Sequence, residues 1–225
     1  MLIDAATTDP TLARAGGSEP FLPPLSSAEI PIPASLEDST DTIRSVILTS
    51  GLLGGATVAE MVRRSVSLLP GHSARLVIPG PMTTATRAVR RLTCFDAAGV
   101  VGLGATNFDL RRFRCEQHSG WVARQALAVA ERERPAEILH IIRQPQAYGL
   151  LRRMRKTPSL VYVDCSQRQA RLEMPSRYSG WTYRPSVWWD GRVFAHARWV
   201  VAESDWVRRD LQSLYPESAA KCVTL

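Results

Sequence analysis

Charged and polar residues follow three apolar runs of this sequence, at the points where buried strands would end. These residues are Arg143, Gln144, Asp164 and Ser204. In the clearest case, the run Ser159–Val163 has β-branched residues without polar alternation, which is typical of a strand buried on both faces. Ligands of open α/β sheets bind beyond the carboxyl ends of the strands. The four residues are therefore candidates for one side of a binding cleft.

Gly54 and Gly55 lie between a predicted strand, 45–49, and a predicted helix, 56–69. Glycines at such a junction let backbone amides face an anion, and the dipole of the helix N-terminus favours negative charge. The pair does not complete a dinucleotide-binding fingerprint, and no Lys-Ser/Thr pair follows it as in a P-loop. An anion site and a tight turn that requires positive φ are both open interpretations at this point.

Apolar periodicity predicts strands and helices in alternation along residues 43–225. The predicted strands are 45–49, 74–78, 111–115, 137–142, 159–164, 199–202 and 221–225. The predicted helices are 56–69, 84–92, 121–133, 147–155, 169–174, 186–197 and 206–214, and residues 99–104 are predicted as a loop with a small strand at its edge. This alternation indicates an α/β fold in which a Rossmann-like parallel sheet carries helices on both faces.

Residues 1–42 precede this alternation and are rich in Pro, Ser, Thr, Ala and acidic residues. Pro23-Pro24 and Pro31-Ile-Pro33 interrupt any regular element, so we expect an extended or disordered leader. The remaining residues, 43–225, are enough to form one domain with a sizeable core.

The formal net charge of +7 has two interpretations. Arginines spread over solvated helix faces account for it, and so does attraction to an anion such as a nucleotide or a phospholipid head group. No long block of consecutive basic residues is present, which argues against a nucleic-acid-binding tail. The basic helices 147–155 and 206–214 are compatible with peripheral membrane contact, while no apolar run is long enough to span a bilayer.

The four cysteines are widely spaced and include no CxxC pair, and the sequence does not open with a secretory signal. These features indicate reduced thiols in a cytoplasmic protein.

An aromatic stretch, 178–189, lies among Arg177, Arg184 and Arg192. Aromatic rings beside arginines could stack on nucleic-acid bases. We favour the alternative, in which these rings pack a long segment against the sheet.

Several segments in order resemble the N-terminal Rossmann-like domain of a GT-B, family 4 type, retaining glycosyltransferase. Gly54-Gly55-Ala56 and segment 69–78 are similar to the family's opening Gly-Gly loop and its Gly-His-x-Val strand. Segments 135–140 and 163–178 are similar to its Pro-Asp-x-Ile-His strand and its Asp-Ala-Thr…Gln…Tyr pattern. Segment 197–215 is similar to its Ala-x-x-Ile-x-x-Ser-x-Trp…Asp-Leu…Tyr segment, so the resemblance covers roughly residues 44–225.

The resemblance implies that a glycosyl group passes from a nucleotide-sugar donor to an acceptor with retention of configuration. The amides of Gly54 and Gly55 would then approach the donor diphosphate. The acceptor side of the cleft would be lined by Arg143, Gln144, Asp164 and Ser204. The implied partners are the nucleotide sugar, a glycan or lipid-linked acceptor, and a C-terminal glycosyltransferase half. No metal, other cofactor or nucleic acid is implied.

The chain departs from the family pattern at Ile142, where the family has a His that is favoured as an active-site group. No catalytic residue is therefore assigned. The family's C-terminal domain, which carries a Glu-x7-Glu motif and most donor contacts, is not within these residues, and the chain closes on the predicted strand 221–225. We accordingly expect a truncated chain or one part of a split enzyme, inactive alone.

Two further function classes remain open. The first is a non-catalytic binding or regulatory module with the glycosyltransferase fold, to which the Ile142 departure points. The second is a nicotinamide-dependent oxidoreductase, because the same fold serves many functions. The incomplete glycine fingerprint and the lack of a ribose-binding acid disfavour the oxidoreductase.

Overall fold

The computed structural model describes residues 42–50, 54–80, 83–95, 110–173 and 181–225. The strands in these ranges are β1 (Ile43–Leu48), β2 (His72–Val77), β3 (Ile138–Ile142), β4 (Ser159–Val163), β5 (Trp199–Ala202) and β6 (Cys222–Thr224). The helices are α1 (Gly55–Ser67), α2 (Thr84–Thr93), α3 (Arg111–Ala130), α4 (Gln144–Ala147), α5 (Leu151–Met154), α6 (Gln167–Glu173), α7 (Arg184–His196) and α8 (Asp205–Leu214), with a 3-10 helix at Pro216–Lys221. The predicted leader before Thr42 and the predicted loop 99–104 lie outside the described residues.

The six strands form one parallel sheet in the order β2-β1-β3-β4-β5-β6. From β1 the chain moves outward to β2 and then returns to β3 on the other side of β1. Strands β1 and β3 are therefore neighbours whose following connections run in opposite directions, which makes their carboxyl ends a topological switch point. The predicted α/β class with a Rossmann-like parallel sheet is confirmed.

Helices cover both faces of the sheet, as predicted. On one face the strand residues Val46, Ile141, Val161 and Val200 belong to a core that includes Leu127 of α3, Phe194 of α7 and Leu211 of α8. On the other face Ile47, Ile142 and Tyr162 pack with Ala59, Val62 and Val66 of α1. Burying an aliphatic or aromatic side chain of this size contributes roughly 1.5–3 kcal/mol, so the two clusters fix the strand register.

The prediction of a strand at Arg111–Cys115 is wrong, because these residues form the first turns of α3. The buried residues of this helix recur every three or four positions and are Glu116, Gly120, Ala123, Leu127 and Ala130. That spacing is a continuous helical period which extends from the predicted helix 121–133 back toward Arg111. Tertiary packing of the whole stripe overrides the local strand-like pattern of the arginine-rich segment.

The predicted helix 147–155 is instead two short helices, α4 and α5, separated by a turn at residues 148–150. The turn lies directly against α3: a methyl group on Gly120 would be 2.6 Å from Gly149 N. Two backbones can approach this closely only where both residues are glycines, because glycine has no Cβ atom. The turn at Gly149 therefore packs directly against α3.

Among the described residues, no helix is long and apolar enough to cross a membrane.

Candidate functional site

The switch point between β1 and β3 brings Gly55, Thr49 and Arg143 together. A methyl group on Gly55 would lie 3.4 Å from Thr49 Oγ1 and 3.8 Å from Arg143 Cδ. The start of α1 therefore lies against the end of β3. Ligands of open α/β sheets bind beyond strand ends at such a switch point, and we refer to this position as the crevice. The residues that the resemblance assigns to the donor diphosphate and one of those assigned to the acceptor side are neighbours here.

The N-terminus of α1 offers backbone amides at this crevice. Its N-cap is Gly54, with φ 75° and ψ −60°, so no side chain caps the helix, and the first turn contains no acidic residue. The first amides of a helix have no partner inside it, and together with the helix dipole they favour an anion. The positive φ also bears out the requirement for a glycine at this turn. The turn and the anion site are therefore compatible interpretations of the same residue.

Arg143 has an unusual backbone conformation at the end of β3. Its φ is 80° and its ψ is 125°, and no other non-glycine residue of the described ranges has a positive φ. Such a conformation costs about 1–3 kcal/mol and persists where surrounding contacts hold it. Here the Arg143 amide donates to Tyr162 O at 3.0 Å, and Arg143 O accepts from the Gln146 amide at 3.2 Å.

Two carboxylates, Asp164 after β4 and Glu203 after β5, both interact electrostatically with Arg143. Arg143 Nε lies 3.6 Å from Asp164 Oδ2, and both side chains are about two-fifths exposed. Asp164 Oδ1 accepts from the Cys165 amide at 2.9 Å, which fixes the carboxylate beyond β4. Burial raises the pKa of Glu203, which follows β5; the Asp164 charge adds to this effect and Arg143 opposes it. Arg143, Asp164 and Glu203 therefore form a charged rim along the carboxyl ends of three adjacent strands.

Glu203 was not among the residues selected from the sequence. It follows an apolar strand as Asp164 does, and the strand-end rule that selected Asp164 applies equally to it. The next residue, Ser204, was selected from the sequence but caps a helix: its Oγ accepts from the Val207 amide at 3.3 Å at the start of α8. The acceptor-side role of Ser204 stays a prediction.

Gln144 lies below the rim and is 5% exposed. Its Nε2 donates to Cys165 O at 3.3 Å, which ties the end of β3 to the end of β4. Its Oε1 is buried without a hydrogen-bond partner within the described ranges. A buried amide oxygen of this kind costs about 1–3 kcal/mol unless it accepts a hydrogen bond. Of the four strand-end residues selected from the sequence, Gln144 thus has a side-chain oxygen, Oε1, without a hydrogen-bond partner in the described ranges.

A buried polar cluster connects the first turns of α3 and α7 with the segment after β4. Arg112 Nε lies 2.8 Å from Glu116 Oε1, and Arg112 Nη2 donates to Gln167 Oε1 at 2.8 Å. Ser186 Oγ donates to the second Glu116 oxygen. The cluster thereby links three helices through side chains that local sequence patterns do not identify.

Asp190 continues this cluster and is 1% exposed. Tyr148 donates its hydroxyl to Asp190 Oδ1 at 2.6 Å. Burial, together with the nearby Glu116 charge, raises the pKa of Asp190 well above its usual range, although the Tyr148 hydrogen bond acts in the opposite direction. Burial of this carboxyl therefore disfavours its ionised form relative to that of an exposed aspartate.

His140 does not provide an active-site imidazole. It is 7% exposed, and its Nδ1 lies 3.1 Å from Tyr162 OH. Burial lowers the pKa of His140 to about 4, so the ring is neutral at physiological pH. Ile142, which the resemblance aligns with a family His, is fully buried against α1.

No group of three or more His, Cys, Asp or Glu side chains that could hold a metal ion is found in the described part of the chain.

Comparison with protein-family models and with curated proteins finds no match to this chain.

Proposed function

We propose that the chain is the acceptor-side half of a retaining glycosyltransferase, which uses a nucleotide-sugar donor and a glycan or lipid-linked acceptor. The observation that carries the proposal is the contact at the switch point, where Gly55 at the N-terminus of α1 lies beside the Arg143 side chain. A diphosphate fits the chemistry of this crevice because backbone amides, a helix dipole and a guanidinium all favour negative charge.

Catalysis in this proposal rests on charge stabilisation at the leaving diphosphate. The amides of Gly55 and its neighbours and the Arg143 guanidinium would meet the negative charge that develops there, in an arrangement fixed before reaction. The carboxylates Asp164 and Glu203 lie on the far side of Arg143 and would accept hydrogen bonds from sugar hydroxyls.

A transfer assay tests this proposal. The chain would be combined with a separately produced donor-binding half of a family 4 enzyme, a panel of radiolabelled nucleotide sugars, and glycan and lipid-linked acceptors. We expect labelled product that depends on both halves. Arg143→Gln should abolish most of the transfer, whereas Arg152→Gln, on α5 away from the strand ends, should leave it unchanged. Transfer that is equally high with Arg143→Gln would contradict the proposed role of the crevice.

A specific observation also favours the second candidate, a non-catalytic binding or regulatory module. Ile142 replaces the family's His with a buried apolar side chain, and His140 is a neutral core residue. This candidate predicts that the chain binds a nucleotide sugar or a glycan with no turnover of any donor. Binding that is lost in Arg143→Gln, together with no transfer in the presence of the donor-binding half, would favour the module over the enzyme.

A further inference from the structure

Large aromatic residues remain exposed around the start of α7. Trp181 and Trp188 are 55% and 56% exposed. Trp189, in contrast, packs on the core residue Tyr148 with ring centroids 5.7 Å apart. In the described part of the segment, 181–189, Trp189 therefore packs on the core as expected, and Trp188 does not. Residues 178–180 lie outside the described residues. Exposed rings that cluster on one surface mark an interaction site more often than isolated ones do.

The rings of Trp188 and Tyr183 are held in place by their neighbours. Trp188 meets Trp189 edge-on with centroids 5.4 Å apart, and the Arg192 guanidinium lies 4.8 Å from the centroid of the Trp188 ring. Arg171 lies 4.8 Å over the Tyr183 ring and donates to its hydroxyl at 3.0 Å. Side chains that are already ordered lose less conformational entropy when they bind. The surface is therefore preorganised.

An open cleft runs between α6, the start of α7 and the end of α8. Three arginines, two aromatic rings and two aliphatic side chains line it, with no carboxylate among the lining residues. Arg168 is neutralised by Asp210, with Nε 2.7 Å from Oδ1. Among the described residues, neither Arg171 nor Arg184 is paired with a carboxylate in this way. The cleft therefore presents net positive charge beside an aromatic floor.

We propose that this cleft docks an acidic segment of a partner protein, in which apolar side chains alternate with carboxylates. Trp, Tyr and Arg are the residues that most often dominate the binding energy of protein interfaces. The open shape suits a chain segment better than a small molecule, which enclosed sites bury on most sides. This docking does not depend on glycosyl transfer.

The same geometry leaves single-stranded nucleic acid at most one free face on each of two aromatic rings. Base stacking needs free aromatic faces. One face of the Trp188 ring carries the Arg192 guanidinium, and one face of the Tyr183 ring carries that of Arg171. An acidic peptide would instead use the ring edges, the aliphatic side chains of Val187 and Leu214, and the exposed residues Arg171 and Arg184.

The test is fluorescence anisotropy with a short fluorescein-labelled peptide in which glutamate alternates with leucine. We expect the full chain to bind it at low salt, and binding to weaken as salt screens the arginines. Trp188→Ala and Arg184→Ala should each weaken binding by about tenfold. Matched controls on α8 are Trp206→Ala, at a tryptophan that is 57% exposed, and Arg209→Ala, and these should bind like the parent chain.

Charge reversal gives an independent readout that does not depend on the Trp188 packing. Arg184→Glu should remove binding of the glutamate peptide and leave the melting temperature unchanged, because this side chain is exposed. No binding of the peptide by the parent chain, or an equal loss in the α8 controls, would overturn the proposal. Tighter binding of an oligothymidylate that responds to the same variants would assign the cleft to nucleic acid instead.

Discussion

The chemistry of the candidate site depends most on Arg143. Its backbone is strained, its guanidinium is the charge shared by Asp164 and Glu203, and its side chain lies against the start of α1. An exposed ion pair such as Arg143–Asp164 contributes only about 0–1 kcal/mol to stability. That contribution does not exceed the strain of about 1–3 kcal/mol. The ion pair alone does not account for the strained conformation, and under the proposed function the conformation places a cation beside the start of α1.

At the same scale, Asp190→Asn is expected to stabilise the protein at neutral pH, by about 1–3 kcal/mol. The folded-state pKa of Asp190 is raised above the unfolded value, so its contribution to stability is fully present below the unfolded pKa and is lost as pH rises toward the folded pKa. The gain from Asn should therefore be small near pH 4 and grow as pH rises. Urea unfolding at several pH values measures it.

Asp205→Asn is the control for the Asp190 prediction. Asp205 is exposed, and hydrogen bonds from Thr224 and Arg208 lower its pKa. Its contribution is present above the unfolded pKa and is lost as pH falls, so Asp205→Asn should reduce stability slightly at neutral pH. A loss of stability in Asp190→Asn that grows with pH would contradict the assignment of a raised pKa to this buried carboxyl.

At the scale of elements, apolar runs predict the central strands well. β3, β4 and β5 each begin and end within one residue of the prediction, because the β-branched runs are bounded by polar residues. The break between α4 and α5 could not be predicted locally, since it follows from the contact between Gly120 and Gly149, which are distant in sequence. The start of α3 was missed for the same reason: its buried stripe is recognisable only once its packing partners are known.

The candidate site likewise contains some features that the sequence predicts and others that it does not. The proximity of Arg143 and Asp164 follows from the rule that parallel strands end at one edge. The capping role of Ser204 and the cluster around Glu116 and Asp190 depend on side-chain direction and on helix packing. Neither is encoded in a short motif, so sequence reasoning could not assign them.

The approach of α3 to the turn at Gly149 makes a strong prediction for Gly120→Ala. The added methyl would lie 2.6 Å from Gly149 N and 3.1 Å from Pro145 O, both backbone atoms that cannot rotate away. Overpacking of this kind costs about 1–3 kcal/mol, measurable as a lower midpoint of urea unfolding. Gly80→Ala is the control, because nothing lies within 4 Å of the new methyl. Equal stability of the two variants would contradict the helix packing.

The packing of α2 on α3 can be tested through two cysteines. Arg111 Nε donates to Cys94 O at 3.3 Å and Arg114 Nε donates to Thr93 O at 2.6 Å, which holds the end of α2 on the first turns of α3. The Cys94 and Cys115 thiols interact there, and burial and this neighbour raise the pKa of Cys115 to about 11. Oxidised glutathione should therefore form a Cys94–Cys115 disulfide, faster at higher pH, with release of two glutathione thiols.

Mass spectrometry of tryptic peptides identifies this disulfide. Cys94→Ser and Cys115→Ser should each prevent it, while Cys222→Ser should not. Cys222 lies in β6, where its Sγ donates a hydrogen bond to Ser218 O. Closing a loop of this length should stabilise the fold by about 3 kcal/mol. A disulfide that forms instead between other cysteine pairs would contradict the placement of α2.

At the scale of the whole molecule, the order of the strands decides where a ligand should bind. The connections from β1 and β3 diverge at a single point of the sheet, and the glycine start of α1 and Arg143 both lie there. The docking cleft at α6, α7 and α8 is lined by none of the switch-point residues. We therefore predict two separable binding activities, of which the one at the crevice belongs to the proposed function.

The most direct test of that central claim is calorimetric titration of the chain with inorganic pyrophosphate and with nucleotide sugars. We predict binding that Arg143→Gln weakens by about tenfold or more, as expected for a lost charged hydrogen bond. Gly55→Ala should also remove it, because the methyl occupies the crevice at ordinary contact distance and leaves the fold intact. Arg152→Gln should bind like the parent chain. Binding that survives both crevice variants, or that disappears equally in Arg152→Gln, would contradict the assignment of the switch point as the diphosphate site.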